Sequence, residues 1–119
     1  MKSVGDAFEE RAALWLRESG LRLLARNYRC RGGEIDIVAL DGECLVFLEV
    51  RRRSNPRFAG AAASVDRRKQ QRILRAAQLF LQRHPQWSAL PCRFDVVAFE
   101  PPQSAPGSAP LWIRAAFTS

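Results

Sequence analysis

The chain has 119 residues, 47% hydrophobic and 26% charged, a composition expected of one globular domain, residues 1–119, large enough to bury a core without covalent staples. Its apolar runs stop at four or five residues and its start, MKSVGDAFEE, carries no apolar stretch, so a membrane span and a signal peptide are excluded from the reading and a cytoplasmic protein is expected. Three widely spaced cysteines and a single histidine suggest neither a disulfide framework nor a zinc site, whereas a net charge of +7 and a pI near 10.6 suit a polyanionic partner or an acidic surface.

Ser3 and Asp6 have the spacing of a capping box, and Phe8, Ala12, Trp15 and Leu16 share one side of a helix that runs to about Glu18 and ends at Ser19-Gly20. Glu9 and Glu10 fall in its first half, where carboxylates suit the positive end of the helix dipole. Leu21 to Tyr28 reads as a first strand, and Gly32-Gly33 turns the chain into the segment around which the rest is arranged.

That segment, GEIDIVALDGECLVFLEVRRR from Gly33 to Arg53, reads as a hairpin. Ile35, Ile37 and Ala39 alternate with Glu34, Asp36 and Val38, and Leu45 to Leu48 is rich in β-branched and aromatic side chains. Asp41-Gly42 is the turn signal. A two-residue turn there sets Leu40 opposite Glu43, Asp36 opposite Phe47 and Glu34 opposite Glu49. By the two-residue period Glu34, Asp36, Glu49 and Arg51 share one face with Val38, Leu45 and Phe47, and a four-residue loop leaves those faces unchanged. Like charges opposed on a half-apolar face are costly, so a compensating cation or arginine is expected, and hard oxygen donors of this kind suit Mg²⁺ or Mn²⁺. The alternative is an exposed hairpin face whose acids pair with the arginines around them.

Beyond Arg53, Ser54 to Gly60 reads as a loop. Ser64 is placed as the cap of a helix to about His84, stopped by Pro85, with Val65, Ile73, Ala76, Ala77 and Phe80 as its apolar stripe. His84 reads as a dipole or capping partner. Arg93 to Phe99 is a further strand in which Asp95 is expected to be structural, bonded to backbone or to an arginine. Pro101 to Pro110 reads as a flexible loop and Leu111 to Phe117 as a last, edge strand. Trp112 is large enough to anchor an interface if exposed, although such residues are mostly core, and a homodimer is left open.

Nine of the 19 bases lie between Arg51 and Arg75, against the single acid Asp66. Arg52, Arg53, Arg57, Arg67, Arg68, Lys69 and Arg72 are the candidates for phosphate contacts with nucleic acid, expected to be DNA, because counterion release rewards such clustering; the alternative is a solvated face in an arginine-rich chain.

Gly5-x-x-x-Glu9, Gly20 before Leu-x-Leu-Leu, Arg26-Asn27, Gly33-Glu34-Ile35-Asp36, Val46 to Val50, Arg53, Phe58-x-Gly60, Val65-x-x-x-Lys69-x-x-Arg72, Phe94 to Val97 and Ala116-Phe117 follow one another in an order that closely resembles the YraN family of bacterial proteins, from about Gly5 to Phe117. The resemblance implies an α/β fold similar to restriction endonucleases and archaeal Holliday-junction resolvases: a helix, a three-stranded antiparallel meander, a crossover helix and one or two further strands, in a mixed sheet flanked by helices. Asp36, twelve residues, then Glu49-x-Arg51 also resembles the constellation of PD-(D/E)xK nucleases. That likeness implies Asp36 and Glu49 as ligands of Mg²⁺ or Mn²⁺, the Val50 carbonyl, Glu9 or Glu34 as assisting ligands, and Arg51 in the place of the usual lysine.

Arg51 and Phe8 are departures, since the family usually has Glu-Val-Lys and Gly-Glu at these places. Arginine can stabilise developing charge but cannot lose a proton near neutral pH. If catalysis needs an amine, Arg51→Lys is expected to create or raise Mn²⁺-dependent cleavage. Lys69 could supply that amine, although a solvated helix lysine is the reading preferred. Three functions follow: a metal-dependent endonuclease, a nucleic-acid-binding module without cleavage, and a protein-interaction domain.

Overall fold

A computed structural model describes residues 4–52, 65–99 and 109–118, with side chains from residue 7 onwards. Helix α1, Val4–Glu18, leads into strands β1 (Arg22–Cys30), β2 (Gly33–Asp41) and β3 (Cys44–Arg52). Helix α2 (Arg67–Arg83) follows, then a 3₁₀ turn at Pro85–Trp87 and strands β4 (Cys92–Phe99) and β5 (Leu111–Phe117). The strands form one sheet in sequence order. The tight turns between β1, β2 and β3 give antiparallel pairs, β3 and β4 run parallel across the connection that holds α2, and β5 closes the edge antiparallel to β4. This mixed α/β architecture is compatible with a restriction-endonuclease-like core. Among the described residues no helix is long and apolar enough to cross a membrane.

Each helix covers one face. Ile73, Ala76, Ala77 and Phe80 of α2 pack on Val38, Leu45, Phe47, Phe94 and Val96, while Phe8, Ala12, Ala13 and Leu16 of α1 pack on Ile37, Ala39, Val46, Leu48, Val97 and Phe99. The central strands β3 and β4 are therefore buried on both sides, which is why their sequences are nearly continuous apolar runs. Gly20, at φ +100°, ends α1 and lets the Leu21 N–H donate to the Leu16 carbonyl. His84 caps α2 with its backbone N–H on the Leu81 carbonyl and stacks between Phe80 and Trp87. Cys30, Cys44 and Cys92 are free thiols.

Three local expectations are corrected. The cap of α2 is Asp66, whose carboxylate accepts from the Lys69 N–H at 2.8 Å; Ser64, like Ser3, the loop from 54 to 60 and residues 101–108, lies outside the described residues. The hairpin loop is Gly42-Glu43, because pairing runs from Asp41↔Cys44 to Ile37↔Leu48. Asp41 stays in its strand because Arg93 Nη2 holds its carboxylate at 2.9 Å, and Gly42 takes φ +60° at the first loop position, as a II′ turn demands. The register moves by two residues, so the faces survive from Ile37 to Asp41 while the partners change. Continued by one step, it sets Asp36 opposite Glu49, in place of Asp36 opposite Phe47 and Glu34 opposite Glu49.

The third correction is to the alternation of β2, which breaks at Asp36: Ile35 packs under α2 with Val38, whereas Ile37 and Ala39 pack under α1. On β1, between the pairs Arg26↔Ile37 and Tyr28↔Ile35, Asn27 takes φ +51°, a left-handed conformation that asparagine tolerates better than most residues. At the start of β2, opposite Cys30, Gly33 passes directly beneath α2. A Cβ there would run into the backbone carbonyl of Arg72, so only glycine lets the helix come so close.

Candidate active site

Pairing between β2 and β3 ends at Ile37↔Leu48, and two carboxyl groups occupy the strands just beyond it. Asp36 accepts from the Val50 N–H at 2.8 Å and lies close enough to Glu49 to hydrogen-bond it. Glu49 is only 4% exposed, and apart from the Asp36 carboxyl group beside it, its Oε2 has no hydrogen-bond partner. Burial, and after it the negative charge of Asp36, push the Glu49 carboxyl up to about 8 against the opposing pull of Lys69. Near neutral pH Glu49 is therefore mostly protonated.

Cations gather around this pair. Lys69 Nζ lies 3.2 Å from Glu49 Oε1 and 3.9 Å from Glu34 Oε1, and Arg51 Nη1 lies 3.8 Å from the same Glu49 Oε1. Arg29 Nε is 3.5 Å from Glu34 Oε2. Glu9 from α1 joins Asn27, Arg29, Glu34, Asp36, Glu49 and Val50 in lining an open polar cleft of about 270 Å³. Glu10, one residue on, instead pairs with Arg26 at 2.9 Å. The acids singled out in the sequence thus open on one cleft, drawn from three separate elements.

Two carboxyl groups, one with an orphaned oxygen, are hard donors that fit Mg²⁺ or Mn²⁺ better than soft metals. Among the described residues no three His, Cys, Asp or Glu side chains are gathered into a ready-made metal group. The donor set is a pair, Asp36 and Glu49, with Glu9 and Glu34 elsewhere on the cleft wall.

The profile of the uncharacterised protein family UPF0102 matches residues 8–99. The chain belongs to this family, the YraN family. The UPF0102 protein of Stutzerimonas stutzeri (strain A1501) is 53% identical over 120 residues, covering 99% of this chain and 97% of its own length. UPF0102 protein PSEEN4497 of Pseudomonas entomophila (strain L48) is 52% identical over 113 residues, covering 95% and 91%. That of Alcanivorax borkumensis is 50% identical over 118 residues, covering 99% and 94%. The YraN relatives carry no activity in their names, so the chemistry is argued from the cleft.

The basic residues separate into two groups. Arg67, Arg68 and Arg72 are exposed on the first turns of α2, and Arg52 is exposed at the end of β3 with its guanidinium 5.3 Å from the Phe8 ring centroid. Arg53 and Arg57 lie outside the described residues. Lys69 is different: at 26% side-chain exposure its ammonium lies between Glu34 and Glu49, two acids of the cleft wall, and the preference for a solvated helix lysine is corrected. Its helical position was legible, but its partners depend on how α2 sits on β2, which no local pattern encodes. Asn27, which lines the same cleft, was visible only as part of a motif.

Asp95 contrasts with this cleft. Fully buried, it accepts from Arg93 Nε and Nη2, Trp112 Nε1 and the Ala115 N–H, each at 2.9 Å to one of its oxygens. Ala115 takes φ +51° where its N–H reaches this carboxylate. Half-buried Trp112 is tied to Asp95 and set edge-on to Trp15, and so packs within its own chain.

Proposed function

We propose that this protein is a metal-dependent endonuclease acting on DNA phosphodiester bonds, with Asp36 and Glu49 holding one Mg²⁺ or Mn²⁺ and the Val50 carbonyl, Glu9 or Glu34 assisting. The observation that supports it is Glu49, a buried acid held against a second carboxyl group, with one oxygen that has no partner beyond that group. A structural acid is normally met by donors, so two acids pressed together at the wall of a polar cleft point to a cation between them. The bound cation would supply Lewis-acid activation of water and of the phosphoryl oxygen.

The chain's own groups have distinct tasks. The Val50 N–H orients Asp36 through Oδ2. Arg51, cationic throughout the working pH range, offsets negative charge that grows on the phosphate during attack. Arg52, Arg67, Arg68 and Arg72, with Arg53 and Arg57, supply sequence-independent contacts to the DNA backbone. A cytoplasmic location accords with such a substrate.

Incubating the full chain with Mn²⁺ and labelled linear, single-stranded and branched DNA tests the reading. Cleavage is expected, with a loss of at least about 100-fold in Asp36→Asn and in Glu49→Gln. The second reading, a binding module of the same fold, is favoured by the absence of a third gathered ligand among the described residues. It is correct if all these DNAs are bound and none is cut.

A further inference from the structure

We propose that Lys69 is the lysine of this site, delivered from α2 rather than from β3 two residues after Glu49. This rests on the metal-dependent reading above and adds a positioning residue to the same cleft.

Two side chains from different elements converge on one atom. Lys69 Nζ, at 3.2 Å, and Arg51 Nη1, at 3.8 Å, both face Glu49 Oε1, while Oε2 has no partner beyond the neighbouring Asp36 carboxyl group. The counter-charges hold Glu49 by one oxygen and leave the other for an arriving cation. Lys69 also reaches Glu34 Oε1 at 3.9 Å, so one ammonium ties together acids from β2 and β3.

The sequence builds this placement locally. Asp66 caps the helix on the Lys69 N–H, which fixes the first turn. Gly33 admits α2 at the Arg72 carbonyl, and Lys69, three residues earlier, lies on the same side of the helix over the ends of β2 and β3. Residue type matters as well. All but two of the 19 Lys and Arg residues are arginine, the lysines being Lys2 and Lys69. A guanidinium would lock both carboxylates with its planar fork, whereas a compact ammonium has three donors: two for Glu49 and Glu34, and one for a water or a phosphate oxygen.

The test compares Lys69→Met and the double variant Lys69→Met/Arg51→Lys with wild type, by Mn²⁺ binding from the electron spin resonance of the free ion, by single-turnover DNA cleavage and by DNA affinity. Lys69→Met should bind Mn²⁺ about 10-fold tighter, because a positive charge beside the ligands is gone. It should cut about 100-fold more slowly, with DNA affinity within about 3-fold of wild type. Lysine at position 51 should restore cleavage to within about 10-fold, since that position reaches the same oxygen. Wild-type cleavage in Lys69→Met overturns the proposal, as does a loss without rescue and with unchanged Mn²⁺ affinity. If wild type itself never cuts, the endonuclease reading fails and Mn²⁺ affinity decides for Lys69: tighter binding in Lys69→Met supports it and unchanged binding overturns it.

Discussion

Glu49 and Asp95 are the two buried acids among the described residues, on neighbouring strands, and their surroundings are opposite. Asp95 meets a guanidinium, an indole N–H and a backbone N–H, so both its oxygens are engaged. Glu49 meets cations at one oxygen only, and beyond those its partner is a second acid. The first arrangement ties β4 to β5, whereas the second leaves an acceptor available. Neighbouring acids in one sheet can thus differ in kind, and counting partners separates them where burial alone does not.

Breaking the satisfied acid should have the largest effect. Asp95→Ala leaves the Ala115 N–H and the Trp112 indole without their acceptor and Arg93 with Asp41 alone, and is expected to lower stability by roughly 3–5 kcal/mol in denaturant unfolding. A loss below about 1 kcal/mol would erase the distinction between the two acids. Gly33→Ala comes next, at about 2 kcal/mol, since its Cβ must push α2 away at Arg72. The same shift should separate Lys69 from Glu49, so DNA cleavage should fall further than stability accounts for.

Glu49→Gln should go the other way. With its carboxyl raised from the usual 4.5 to about 8, the folded chain keeps a proton that the unfolded chain releases. Between these values wild-type stability therefore falls as pH rises, and above about 8 it stays at the lower level. Glutamine does not titrate, so the variant's melting temperature should exceed wild type by a margin that widens from pH 5 to pH 9 (about 4 °C per kcal/mol). A margin independent of pH would mean that Glu49 is not held protonated. The smallest effect on folding is expected from Arg67→Ala, Arg68→Ala and Arg72→Ala together. Their signature is in DNA binding, where the salt slope should flatten by ~0.9 for each lost phosphate contact.

Much of this arrangement was legible in the sequence because it depends on period and parity. Apolar alternation and the Asp-Gly signal gave the hairpin, and the two acids singled out on its strands do meet, Asp36 within hydrogen-bonding reach of Glu49, even though the turn slid by two residues. The slide was hidden because Arg93, 52 positions from Asp41 along the chain, holds that carboxylate. The break of alternation at Asp36 and the reach of Lys69 into the cleft were hidden for a related reason. The first lies beside the left-handed Asn27 of the neighbouring strand and the second depends on the close approach of α2 to Gly33, and both are tertiary.

Calorimetric titration of the full chain with Mn²⁺ near pH 7, in buffers of different ionisation enthalpy, probes most directly whether the Asp36–Glu49 pair is built for a cation. A single site is expected, lost in Asp36→Asn, with proton release on binding because Glu49, raised to about 8, must give up its proton to act as a ligand. Absent binding, or binding that is equally tight in Asp36→Asn, would contradict a cation site at this pair.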